Sequence, residues 1–105
     1  LIVVLGHTAC GAVKGACDDA KLGKLTGMLN KIKPAVNAVT SPEEASLRNS
    51  SNIEFVNNVA EKNVQLTMKK IIEDSDVLAE MQNNGEIKIV GGMYDINSGA
   101  LTFYE

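Results

Sequence analysis

Residues 1–11 read Leu1-Ile2-Val3-Val4-Leu5-Gly6-His7-Thr8-Ala9-Cys10-Gly11. Five consecutive apolar residues closing on a glycine predict a fully buried parallel strand near residues 1–6, because strands covered on both faces lose the alternation of half-exposed ones. A short helix is expected from about Cys10, which makes Gly6 to Gly11 a strand-to-helix turn. In open α/β sheets ligands collect beyond the carboxyl ends of strands, where this turn lies. It sets the chain's only histidine, His7, three residues before Cys10. Neutral imidazole and thiolate are both zinc ligands, so the pair reads as half of a metal site. Gly11 lets backbone approach a bound group closely.

Downstream, Leu22, Leu25, Leu29, Ile32 and Val36 recur at helical spacing, with Lys24, Lys31 and Lys33 turned away. Pro34 removes the backbone bond to Asn30, so that helix is expected to bend or restart there. Thr40 to Asn52, with Pro42 and four serines, reads as a polar, mobile connection with a short helical turn. Ile53, Val56, Ala60, Val64, Met68 and Ile71 predict a long helix over most of 53–73. Ser75 or Asp76 can cap a further helix through Met81, and Gly85 can supply its left-handed stop. Strands are expected near 86–93 and 100–104, joined as a hairpin by the turn chemistry of Asp95 to Gly99. The resulting class is α/β: a mostly parallel sheet with flanking helices and a C-terminal antiparallel edge strand.

Composition narrows the function classes. The formal net charge is −3, and the ten Lys and Arg residues are scattered, which argues against nucleic acid as a partner. No apolar run approaches the roughly 18 residues that span a bilayer. Two cysteines are too few for a secreted disulfide scaffold, so a reduced, cytoplasmic setting is the default. With 45% hydrophobic residues but two Phe, two Tyr and no Trp, the core must be aliphatic.

A lone histidine at a strand end is more often structural than a ligand, and a lone cysteine is usually a small buried hydrophobe. Glycines at 6 and 11 also mimic part of a phosphate-binding loop. There, however, Lys and Ser or Thr follow the last glycine at once, whereas here Ala12 and Val13 follow. Cys17 is the tempting third ligand. If one helix carries both cysteines, seven residues separate them by about 10.5 Å along the axis. Two sulfurs on one zinc lie only about 3.8 Å apart, given bonds of about 2.3 Å. Cys17 therefore reads as an inert thiol, and the same distance disfavours a Cys10–Cys17 disulfide. Asp18, Asp19 and Asp95 are expected in solvated turns.

Gly6, His7, Cys10, Gly11, Ala12 and Val13 stand in the pattern Gly-His-x-x-Cys-Gly-Ala-Val, which resembles the β-class carbonic anhydrases. Residues 85–105, GEIKIVGGMYDINSGALTFYE, are similar to that family's last two strands. The resemblance implies reversible hydration of carbon dioxide to bicarbonate by zinc-bound hydroxide in the intact protein. It implies zinc on His7 and Cys10, substrate approach at Gly11, and a homodimer or higher homo-oligomer. It also implies a third zinc ligand, a cysteine, and an aspartate–arginine pair on an upstream strand outside this sequence. Leu1 is not a translation start, and the chain reads as the C-terminal part of a single domain cut inside it. Taken alone, it is expected to be inactive. The alternative is a family-like module that binds or supports without catalysing.

Overall fold

The computed structural model describes residues 1–104. Strand β1 spans Ile2–His7, helices α1 and α2 span Gly11–Cys17 and Leu25–Ala38, and a short 3₁₀ turn covers Ala45–Leu47. Helices α3 (Ile53–Asp74) and α4 (Asp76–Asn83) precede strands β2 (Ile89–Tyr94) and β3 (Leu101–Tyr104). The sheet runs β1-β2-β3, with β1 parallel to β2 and β3 antiparallel to it. The predicted order, directions and hairpin are therefore all present. Asp95 shapes the hairpin turn by accepting from the backbone N–H groups of Asn97 (2.8 Å) and Ser98 (3.3 Å).

Helix α3 organises the molecule because it has two working faces. Phe55, Val56, Val59 and Ala60 join Val13, Ala16, Cys17, Ala35 and Val36 in one buried cluster with α1 and α2. Val64 and Met68 meet the sheet. There, a β-carbon at Gly91 would lie 2.8 Å from Val64 Cγ1, and one at Gly6 would lie 2.8 Å from Val64 Cγ2. Glycine at these two sheet positions lets the helix settle onto the strands. The second face explains why Phe55 and Val59, absent from the predicted stripe, are core residues, while Ile53, the stripe's first member, is exposed.

Other expectations are corrected. Strand β1 is not buried on both faces: Ile2, Val4 and Gly6 are half-buried, while Val3, Leu5 and His7 are exposed. The cause is architectural, since among the described residues α3 covers one face of the sheet and nothing covers the other. Helix α2 begins at Leu25, leaving Leu22 and Leu25 exposed, so only Leu29, Ile32 and Val36 of that stripe pack inward. It continues through Pro34, which sits on the exposed side where water can reach the freed Asn30 carbonyl. Lys33 does not turn away. Its Nζ donates to the Ala16 carbonyl at 3.2 Å and pairs with Asp19 at 3.1 Å, tying α2 to α1.

The 40–52 connection is tied down rather than loose. Arg48 donates from Nη1 to the carbonyls of Val39 and Pro42 (2.6 and 3.0 Å) and from Nη2 to that of Val36 (2.9 Å). Its guanidinium lies 4.8 Å from the centre of the Phe55 ring. A planar fork of donors suits the converging carbonyls at the end of α2. No helix of the described residues is long and apolar enough to cross a membrane.

Candidate metal centre

His7 is the last residue of β1, opposite Tyr94 in register, and Cys10 is the N-cap of α1. The turn between them is held from three sides. The Thr8 N–H donates to the Tyr94 carbonyl (3.0 Å), extending the parallel ladder by one bond. Thr8 Oγ1 accepts from the Ile96 N–H (3.1 Å), which ties the turn to the β2–β3 hairpin. The Ala9 N–H donates to Asn57 Oδ1 of α3 (3.0 Å).

The imidazole itself is oriented. His7 Nδ1 lies 2.9 Å from the Thr8 carbonyl oxygen. A carbonyl can only accept, so Nδ1 carries the proton and Nε2 keeps its lone pair for another partner. Fixing a metal-binding histidine by a backbone carbonyl at its second nitrogen is a recurrent device. Cys10 is a half-exposed free thiol beside it in sequence. These two donors suit zinc in kind, and the tautomer suits it too. They are two donors, however, and among the described residues no group of three or more His, Cys, Asp or Glu side chains gathers to hold a metal.

Each of the other predicted residues has a clear place. Gly11 opens α1 on the surface, and a β-carbon there would meet nothing within 4 Å. Cys17 ends the same unbroken helix and is buried in the core. Burial, helped by the neighbouring Asp18 charge, pushes its thiol from 9.0 up to about 11. It is a core thiol that keeps its proton at neutral pH, in line with its reading as an inert thiol. Asp18 accepts from the Ser50 backbone and hydroxyl, and these bonds hold its carboxyl below the usual range. Asp19 is lowered by Lys33 and Lys21, and Asp95 by the backbone of its own turn. All three carboxylates are engaged locally, Asp18 and Asp19 exposed and Asp95 half-buried. Sequence reasoning missed Asn57. A polar residue on a long helix carries no pattern that announces a bond to a turn 48 positions earlier.

The open face of the sheet adjoins this turn. Val3, Leu5 and His7 on β1 share it with Tyr94 on β2 and with Leu101 and Phe103 on β3. Leu5 and Phe103 remain 52% and 54% exposed. Such a continuous apolar patch marks a contact surface rather than ordinary solvent-facing residues. A groove of about 840 Å³ between α2 and α3 lies elsewhere and includes neither His7 nor Cys10.

Comparison with known proteins points in one direction. The carbonic anhydrase family profile matches residues 1–101. Among solved structures, the β-carbonic anhydrase CafA of the fungal pathogen Aspergillus fumigatus superposes with a TM-score of 0.79 at 34% identity, covering 98% of this chain and 47% of its own. A structure of tetrameric β-carbonic anhydrases from Sordaria macrospora gives a TM-score of 0.73 at 24% identity, covering 97% of this chain and 50% of its own. The β-carbonic anhydrase CcaA gives 0.73 at 21% identity, with 99% and 46% coverage. The chain spans about half the length of the solved relatives it matches. No curated protein matches it.

Proposed function

The chain belongs to the β-carbonic anhydrase family, and from that premise we propose that the whole protein carrying it interconverts carbon dioxide and bicarbonate at a zinc centre. His7 and Cys10 are two of its protein ligands. The observation that carries this reading is the oriented imidazole, its Nδ1 bonded to the Thr8 carbonyl, three residues from a free thiol at the carboxyl end of a parallel strand. When bound, zinc acidifies water enough to supply a nucleophile at neutral pH.

The chain's own residues have separate tasks in that scheme. His7 Nε2 and Cys10 Sγ would hold the ion, and the Thr8 carbonyl, bonded at Nδ1, leaves Nε2 free for it. Gly11, open on its outer side, leaves room for carbon dioxide and bicarbonate to approach. A cysteine and an aspartate–arginine pair from outside these 105 residues complete the ligand set and orient the nucleophile. The sequence is thus the C-terminal part of one domain. With two donors it holds zinc weakly or not at all on its own and does not hydrate carbon dioxide. The apolar sheet face supports a homo-oligomer or cover by the rest of the domain, and the Sordaria macrospora enzymes are described as tetrameric. A reducing compartment, the cytoplasm, suits a ligand set built on free thiols.

The test is a set of three variants in the whole protein, read by zinc content and stopped-flow hydration. His7→Ala and Cys10→Ser should lose both together. Cys17→Ser should keep both. Retention of zinc by the first two, or its loss only in the third, would refute the assignment.

A further inference from the structure

We propose that Asn57 is a positioning residue for the zinc ligands, its side-chain oxygen fixing the turn that sets Cys10 relative to His7 before any metal arrives. The inference rests on the ligand assignment above and goes beyond it, since Asn57 lies 47 positions from Cys10 on a different element.

Three observations converge. Ala9, the residue just before the cysteine, has φ +52, a conformation that non-glycine residues disfavour. A turn holding such a residue needs bonds that over-determine it. Thr8 is fixed by Tyr94 and Ile96, but the Ala9 N–H has one partner, Oδ1 of Asn57 at 3.0 Å. Without that acceptor no hydrogen bond among the described residues opposes rotation of Ala9 to negative φ, which would turn the chain carrying Cys10 relative to β1.

The second observation explains how a helix reaches the turn. A β-carbon at Gly6 would fall 2.7 Å from Met93 Sδ and 2.8 Å from Val64 Cγ2, with the Ala60 carbonyl oxygen at 3.6 Å. Glycine therefore allows α3 to lie against the end of β1. Asn57 sits about one helical turn before Ala60, at the level of Ala9. Third, the acceptor is an amide. Its oxygen takes the Ala9 hydrogen, and a carboxylate oxygen of the same reach would do so too.

Asn57→Ala and Asn57→Asp in the whole protein separate positioning from general support. Zinc affinity is read by competition with a chromophoric chelator, and urea unfolding and Ala9 amide exchange are read on the metal-free forms. Loss of an outer partner typically weakens metal binding about 10- to 100-fold. Asn57→Ala should show a loss of that order and rapid Ala9 exchange, with an unfolding midpoint close to wild type. Asn57→Asp, still an acceptor, should recover Ala9 protection and most of the affinity. Should the alanine variant fail to fold, Asn57→Ser, whose hydroxyl is too short to reach, should show the same loss. Wild-type affinity in the alanine or serine variant overturns the proposal, as does an aspartate variant no better than alanine. Zinc retained by His7→Ala would instead overturn the ligand assignment.

Discussion

At single positions, two glycines play opposite parts. Gly6 makes room: a methyl there would press on Met93 and Val64. Gly6→Ala should cost roughly 1–3 kcal/mol, as overpacking does, and should speed amide exchange at Ala9 as α3 is pushed off. Gly11 is the contrasting case, because a methyl there meets nothing. Gly11→Ala should leave the urea midpoint within about 0.5 kcal/mol of wild type. In the whole protein it should weaken carbon dioxide hydration, which separates a role in substrate approach from one in folding. Cys17 makes a third prediction, in pH. Its thiol is raised from 9.0 to about 11 in the folded chain, so above pH 9 the unfolded chain loses the proton first and is favoured. Stability is intact below pH 9 and falls as the pH climbs toward 11. Tyr104, raised by burial and by Glu61, adds to the same trend. Urea midpoints from pH 8 to 11 should therefore fall less steeply in Cys17→Ala than in wild type. That His7 and Cys10 share one strand-to-helix turn was legible in the sequence, because an apolar run closes on them and helical spacing resumes after them. Asn57 was not, because its partner is remote and its own neighbourhood is ordinary helix.

Among the elements, what was legible followed from periodicity and what was not followed from neighbours. The long helix, the hairpin and the strand directions depend on local pattern and turn chemistry, and they stand where expected. The exposure of Val3 and Leu5 depends on what lies above the sheet, which an apolar run does not encode. Phe55 and Val59 depend on α3 having a second face toward α1 and α2. Helix ends give a direct test of the local arguments. The Ser75 hydroxyl accepts from the Leu78 N–H at 3.2 Å, and Ser75→Ala should cost about 1 kcal/mol in chemical denaturation. In the sequence Arg48 is one more scattered cation, yet in the fold it gathers three carbonyls and covers Phe55. Arg48→Met keeps the stem and removes the donors. It should destabilise by roughly 1–3 kcal/mol, the scale of charge-assisted bonds, with the first added exchange at the end of α2.

For the molecule as a whole, the governing fact is a sheet with one clothed face. Val3, Leu5, Leu101 and Phe103 form a patch that water does not favour, and the outer edge of β1 is unpaired among the described residues. The 105-residue chain should therefore self-associate, which sedimentation equilibrium measures. Phe103→Lys should shift that equilibrium toward monomer while leaving helix content unchanged. A wild-type chain that sediments as a monomer at high concentration would contradict this use of the face. The pairing of Ile2 with Ile89 and of His7 with Tyr94 has a further consequence, in time rather than space. A ribosome makes the turn between β1 and α1 long before it makes the strand that turn leans on. Until β2 and Ile96 have left the exit tunnel, Thr8 has neither of its partners. His7 and Cys10 therefore emerge before their turn has these partners, and the turn takes its final shape only once β2 and the hairpin have followed.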